Sequence, residues 1–158
     1  MEILAEDLWK PVRGQVMYIV TTNGCVQKGR GLIMGAGAAK EAVRRYPDIE
    51  KWSASSILKN GVQVEGWLYR YGFLPVLPVT PAQPVGLGIF QAKLHFKHPS
   101  SLDLIRQSAQ MLQEYSKARP EVHFRLNFPG IGLGGLSKDA VLPLLVFLPD
   151  NVTICYRS

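Results

Sequence analysis

Two glycine-rich stretches carry residues of the kind that hold an anion. The first runs TTNGCVQKGRGLIMGAGAAKEA from Thr21 to Ala42, and the second runs FPGIGLGGLSKD from Phe128 to Asp139. Gly35 and Gly37 precede a helical pattern, so the backbone there can approach a ligand and offer the unpaired amides of a helix start to a negative charge. Gly130, Gly132, Gly134 and Gly135 lie between a strand-like run and a helix start, where successive exposed amides can cradle a phosphate. One such loop alone reads as a tight turn. Two of them, each after a strand, point to a diphosphate site, because ligands of open α/β sheets gather at the carboxyl ends of strands. Gly130, Gly132 and Gly135 also match GxGxxG. A dinucleotide-binding unit needs a further βαβ half and an acidic residue about 20 positions on, and the residues after Gly135 leave no room for these. No glycine loop ends in GK[ST], so a P-loop is not expected.

A third chemical feature is a gap in acidity. From Gly66 to Leu102 there is no Asp or Glu, while Arg70, Lys93, His95, Lys97 and His98 stand among aromatics. This reads either as a buried strand pair with a solvated loop or as a surface that meets phosphate. The net charge of +6 favours anionic partners but does not bear on fold.

Alternating apolar runs and helical patterns must position these residues. Val16 to Val20 is a β-branched run expected as a buried strand. Ala38, Ala39, Ala42, Val43 and Tyr46 follow helical spacing up to Pro47, and a second helix is expected from Lys51 to Asn60, ending at Gly61. Trp67–Tyr71 and Phe73–Val79 read as strand-like, the latter at a sheet edge or in an extended segment because of Pro75 and Pro78, and Pro81 and Pro84 mark a loop. Ser100 or Ser101 caps a long helix to about Ala118, with Leu102, Ile105, Ala109 and Leu112 on one face. Val122–Phe128 and Val152–Tyr156 complete the strands. Ser137 caps a last helical segment that Pro143 shortens. The alternation predicts one α/β domain over residues 1–158 with a largely parallel or mixed sheet.

At 158 residues, 47% apolar and 19% charged, the chain can build a core and is not expected to be disordered. The longest apolar run, Leu142–Leu148, is far short of a membrane span and contains Pro143. The first residues, with Glu2, Glu6 and Asp7, lack the basic region of a secretory signal. Two cysteines, Cys25 and Cys155, fit a reducing cytoplasm, and with the three histidines they form no spaced metal cluster. Nothing near Cys25 argues for a reactive thiolate. His98 reads as a loop residue and His123 as structural.

In this order and spacing, several segments resemble the macro domains, which bind ADP-ribose. EDLW at Glu6–Trp9 is similar to the Gly-Asp-Ile motif at the family's first strand. IVTTNG at Ile19–Gly24 is similar to its Val-Asn-Ala-Ala-Asn motif, with Asn23 as the terminal Asn. MGAGAAKEAVRRYP resembles the Met-Gly-x-Gly-Ile-Ala helix start of one branch, and NFPGIGLGGL resembles the phosphate-binding loop. AKLHFKHPSSL at Ala92–Leu102 is the most specific match. It resembles the Thr-Lys-x-His-Trp-(Arg/Lys)-x-Pro-Ser segment of the DNA ADP-ribosyl glycohydrolase antitoxins, a branch shared with the terminal ADP-ribose glycohydrolases. Ala92 replaces the usual Thr, and Thr21 and Thr22 stand where small apolar residues are common. The protein-directed enzymes of this branch carry an Asp in the second glycine loop; here Gly134, Gly135 and Leu136 occupy that stretch and the next acid is Asp139.

The resemblance implies a three-layer α/β/α sandwich with a mixed central sheet and a cleft for ADP-ribose. It puts Asp7 and the Leu8 amide at the adenine, with Tyr156 nearby. Thr22 and Asn23 fall at the distal ribose. Met34, Gly35, Ala36, Gly37 and Ala38, with Gly130, Ile131, Gly132, Leu133, Gly134, Gly135 and Leu136, fall around the diphosphate. Lys93, Asn23 and His95 form the implied catalytic set. Cleavage at the anomeric carbon passes through an oxocarbenium-like state, and a lysine there could attack the carbon, position the ribose or protonate the leaving group. His95 would share its side if the segment is extended, as an acid or base. The implied activity is an ADP-ribosyl glycohydrolase acting on ADP-ribosylated DNA, or on protein, with DNA contact through the basic surface and a paired ADP-ribosyltransferase as partner. No metal or organic cofactor, and no membrane, is implied. A non-catalytic ADP-ribose reader, and a nucleic-acid-binding module whose glycine loops are structural, are the alternatives.

Overall fold

The computed structural model of the chain describes residues 1–157. A sheet of six strands has the order β1-β10-β9-β2-β8-β7. The strands are β1 (Glu2–Leu4), β2 (Gln15–Thr22), β7 (Phe73–Leu77), β8 (Val85–Gln91), β9 (Val122–Asn127) and β10 (Val152–Cys155). Five of them run parallel and only β7, at the edge, pairs antiparallel to β8. Two small ribbons stand outside this sheet: β3 (Val26–Gln27) with β4 (Gly31–Leu32), and β5 (Val62–Glu65) with β6 (Leu68–Arg70).

The two-residue period of the strands sorts side chains onto opposite faces. On β2, Met17 and Ile19 join a core with Phe90, Phe124 and the α3 (Leu102–Lys117) residues Ile105, Ala109 and Leu112. Val16, Tyr18 and Val20 face the other way, toward Ala39 and Ala42 of α1 (Gly37–Arg45) and Ile49 and Ile57 of α2 (Ile49–Asn60). Two cores on two faces make a three-layer α/β/α sandwich with a mixed sheet, as expected. The short α4 (Lys138–Val141), capped by Ser137, passes into a 3₁₀ turn at Leu142–Leu144 where Pro143 ends the helix. Ser101, not Ser100, caps α3: its hydroxyl accepts from the Leu104 amide at 3.3 Å.

The structure refines the sequence reading in three places. Trp67–Tyr71 contains the expected strand, β6, which pairs with β5 in the outer hairpin and not in the six-stranded sheet. Val85–Gln91, central to the sheet, is not foreseen, because Gly86 and Gly88 interrupt its apolar run. Gly86 is required by packing, since an added Cβ would lie 2.6 Å from the backbone oxygen of Leu77. Glu6–Trp9, expected at the first strand, is the bend and turn that follows β1.

Gly24 shows how tightly the strand ends are clamped. Its amide donates to Leu94 O at 2.8 Å and its carbonyl accepts from the Tyr69 amide at 2.9 Å. A Cβ there would sit 2.2 Å from Tyr69 O and 2.9 Å from Leu94 O, both backbone atoms that cannot swing aside. Gly24→Ala is therefore expected to cost about 3 kcal/mol or more in denaturant unfolding. Gly29→Ala, where φ is +85° and no atom lies within 4 Å, should cost only about 1 kcal/mol of backbone strain. Equal losses at the two positions would refute the clamp.

Candidate functional site

Parallel strands end at the same edge, and here all five contribute to one cleft. It consists of two adjoining cavities of about 610 and 710 Å³ that share Gly37, Ala38, Asn127, Phe128 and Ile131. Both volumes fall in the range of ligand pockets. The cleft opens where β2 and β9 part. Their ladder ends at Ile19 opposite Leu126, and the Asn127 side chain takes over. Its Oδ1 accepts from the Thr21 amide and its Nδ2 donates to Thr21 Oγ1, each at 2.9 Å.

The first glycine loop forms one wall. Asn23 pins its two ends, with Nδ2 donating to Ile33 O at 3.0 Å and Oδ1 accepting from the Cys25 amide at 2.9 Å. One Nδ2 proton is left for the cleft. Glu50 of α2 holds the loop from behind: it takes Arg30 with both carboxylate oxygens at 3.2 and 3.1 Å and accepts from the Met34 amide at 3.0 Å. The loop leads into α1, whose N-cap, Ala36, supplies no side-chain acceptor. The first amides of α1 therefore face the cleft unpaired, with the helix dipole behind them.

The second glycine loop is the opposite wall. The amides of Gly134, Gly135 and Leu136 turn back onto the carbonyls of Ile131, Gly132 and Gly130. Those of Ile131, Gly132 and Leu133 find no backbone acceptor. Gly130 has φ +79°, and a Cβ on it would meet Ile105 and Leu136 at 2.8 and 2.9 Å. The loop is tied to the segment before α3, where the Ser100 amide donates to Gly134 O at 2.9 Å.

Lys93 follows β8 and lines the 610 Å³ cavity between these loops. Its backbone is fixed from two sides, by Thr22 O (3.3 Å) and by Gln91. The fully buried Gln91 amide is saturated: Oε1 accepts from the amides of Tyr71 and Gly72, and Nε2 donates to Tyr69 O and Lys93 O. Tyr71 donates to Asn23 O at 2.6 Å, so Thr22 Oγ1 is the donor in its short contact with the Tyr71 hydroxyl. Burial pushes the Tyr71 phenol far above its ordinary range. No ion pair to Lys93 forms among the described residues. The 710 Å³ cavity's charged groups are Glu6, Lys40, Glu41, Arg44, Arg45 and Arg157, whereas the lining around Lys93 includes Arg30 and no carboxylate.

Of the residues named from sequence, Thr22, Asn23, Met34, Gly35, Ala36, Gly37, Ala38, Lys93, Gly130, Ile131, Leu133 and Gly134 line this cleft, and Leu8 and Tyr156 line its outer cavity. Others do not. His95 is turned away because the segment is not extended: the His98 amide closes a turn on His95 O, and His95 Nδ1 accepts from the Lys97 amide. Asp7 caps its own turn, accepting from the Trp9 amide at 3.2 Å. Gly132 and Gly135 shape the outer side of the second loop, and Leu136 packs on the core. Burial pushes the Cys25 and Cys155 thiols up, Cys155 to about 11, which disfavours a thiolate at either.

Sequence reasoning missed Asn127, Phe128, Ile33, Trp67 and Phe96, which also line the cleft. It missed Arg125 as well, a charge on β9 only 3% exposed. Its guanidinium donates to Leu8 O (2.9 Å) and Asp7 O (2.8 Å) and pairs with Glu6 at 2.8 Å. This fixes the turn that carries Leu8. The one available signal was an Arg and an Asn that alternate with Phe124 and Leu126 in a strand directly before a glycine loop.

The hydrogen bond from Arg125 holds the Glu6 carboxyl below its ordinary range. A lowered folded-state value contributes stability that is present above the unfolded carboxylate range and is lost as pH falls through the folded value. Denaturant unfolding between about pH 3 and 7 should therefore show wild type losing stability on acidification. Glu6→Gln should be less stable at neutral pH and flatter below pH ~5. Parallel curves would remove the ion pair from the account.

No family model matches the chain, and no curated protein matches it. Solved structures do. The macrodomain of Thermus aquaticus DarG aligns with a TM-score of 0.71 at 20% identity, over 99% of this chain and 97% of that one. The macrodomain of Mycobacterium tuberculosis DarG gives 0.68 at 19% identity, over 99% and 97%. Thermosipho africanus DarTG, solved in complex with ADP-ribose, gives 0.65 at 21% identity over 90% of this chain, which spans only 38% of that longer protein. Likeness of this extent, over nearly every residue, gives the chain the macrodomain fold.

Proposed function

We propose that the cleft binds ADP-ribose and that the chain hydrolyses it from a modified macromolecule, with a DNA base as the favoured linkage. One observation carries the reading: two walls of unpaired amides face each other across the cavity of Lys93 and Arg30, whose own lining holds no carboxylate. That field suits a diphosphate. The diphosphate lies between Gly35–Ala38 and Gly130–Gly134. The adenine lies in the outer cavity beside Leu8 and Tyr156, and the distal ribose lies against Asn23 and Lys93. The likeness to structures of DarG macrodomains, and to a DarTG solved with ADP-ribose, supports the same ligand.

At the anomeric carbon the glycosidic bond breaks toward an oxocarbenium-like state, and the departing base takes its electron pair. The Lys93 Nζ either donates a proton to that base while water adds to the carbon and gives up its own proton or, deprotonated, attacks the carbon to give a lysyl adduct that water hydrolyses to ADP-ribose and free lysine. Asn23 orients the ribose with its remaining amide proton. A second reading, a reader without turnover, is favoured by the lack of any carboxylate in the lining to activate water. No helix among the described residues is long and apolar enough to cross a membrane.

Calorimetric titration should give micromolar binding of ADP-ribose and much weaker binding of AMP. On an oligonucleotide carrying ADP-ribose on one base, Lys93→Ala should slow release by roughly 10²-fold or more while ADP-ribose affinity is largely kept. Tight binding with no release from DNA or protein would leave the reader. An unchanged rate in Lys93→Ala would remove the lysine from the chemistry.

A further inference from the structure

The outer cavity is more cationic than an adenosine requires. Adenine and its ribose are uncharged, and the diphosphate has the loop amides. Yet this cavity carries four cations, Lys40, Arg44, Arg45 and Arg157, against two carboxylates, Glu6 and Glu41. Both carboxylates are taken. Glu6 pairs with Arg125 at 2.8 Å and with Lys10 at 3.2 Å. Glu41 pairs with Arg45 at 3.5 Å and with Arg157 at 3.2 Å. Arg45 also lies over the Trp9 ring, 4.8 Å from its centroid. Lys40 and Arg44 are left. Both are exposed, both line the cavity, and neither forms an ion pair among the described residues.

Their placement runs against local preference. They stand four positions apart on α1, hence side by side on one face, where like charges repel. Lys40 is the fourth residue of the helix, near the end whose dipole favours a carboxylate, and the first turn of α1 has no acid at all. A helix that needed only a soluble outer face would be more stable with the opposite charge at Lys40. Conflicts of this kind collect at functional sites. Helical side chains lean toward the amino end, which directs both cations back along α1 toward the cleft. Along the helix axis, Lys40 is about 4.5 Å and Arg44 about 10.5 Å beyond Gly37. The unpaired charges therefore stand beside the nucleoside rather than at the diphosphate. A phosphate would resolve both conflicts, meeting the guanidinium through two parallel N–H donors and the lysine as a point charge.

We infer that Lys40 and Arg44 bind a phosphate ester on the adenosine ribose, so that the ligand best suited to the cleft is an ADP-ribose phosphorylated at the 2′ or 3′ hydroxyl of its adenosine. The inference rests on the ADP-ribose reading of the cleft. It concerns the end of the ligand remote from the scissile bond and leaves the chemistry at Lys93 as it stands.

Calorimetry at one ionic strength would compare adenosine 2′,5′-bisphosphate and adenosine 3′,5′-bisphosphate with AMP, and ADP-ribose phosphorylated at either hydroxyl with ADP-ribose. At least one bisphosphate should bind about tenfold more tightly than AMP, and the one that does identifies the hydroxyl. ADP-ribose with its phosphate at that hydroxyl should gain a similar factor over ADP-ribose. The double substitution Lys40→Gln, Arg44→Gln should shrink both gains to about twofold or less. Lys59→Gln with Lys117→Gln removes the same charge at positions that line neither cavity, and should keep the gains. Thermal melting checks that both variants fold. ADP-ribose binding with no gain at either hydroxyl would overturn the inference alone, as would a gain that survives in the Lys40, Arg44 variant or is lost equally in the control. No binding of ADP-ribose to the parent protein would overturn the cleft reading itself, and the inference with it.

Discussion

Five strands that run the same way must finish at the same edge, and nearly everything about the site follows from that. The turn after β1 brings Leu8, the loop after β2 brings Asn23 and the first amide wall, and the segment after β8 brings Lys93. The loop after β9 brings the second wall and the residues after β10 bring Tyr156. None of these is near the others in sequence. The room between the walls comes from the parting of β2 and β9, where Asn127 replaces ladder bonds by a side-chain pair to Thr21. Without that substitution of side chain for backbone, the opened strands would leave buried polar groups unpaired.

Loops with so many free amides are not self-supporting. Their order comes from polar groups behind them: Gln91 under Lys93, Tyr71 under Thr22 and Asn23, Glu50 behind Met34, and Arg125 under Leu8. Each is buried or half-buried and has its hydrogen-bonding capacity largely filled, the condition under which a buried polar network rigidifies rather than destabilises. These residues touch the backbone of the cleft rather than its interior. They hold the loop amides and the Lys93 backbone in place, so that a ligand need not order that backbone on binding.

Most of the elements were legible from the residues. The β-branched run at Val16–Val20, the helical spacing from Ala38, the Ser101 cap and the closing run at Val152 all appear in place, because each is a local preference that the fold does not contradict. The failures share a cause. Strand β8 was hidden by its glycines, and the reason for Gly86 lies in the neighbouring strand, where a Cβ would strike Leu77 O. His95 was expected beside Lys93 on the premise of an extended segment. A turn closed by the His98 amide swings it instead onto Trp67, a partner from another element.

The sequence by itself determined the chemistry on offer: two amide-rich glycine loops at strand ends, a basic stretch without carboxylates, and a lysine inside a family-like segment. These depend on residue type and local spacing, which a one-dimensional reading can measure. Tertiary structure decided which of those residues share a cleft, since that depends on the order of strands in the sheet. It also decided that Asn127, Gln91 and Arg125 are the supports, because a polar residue inside an apolar strand reveals its purpose only when its partners, up to 118 positions away, are brought against it.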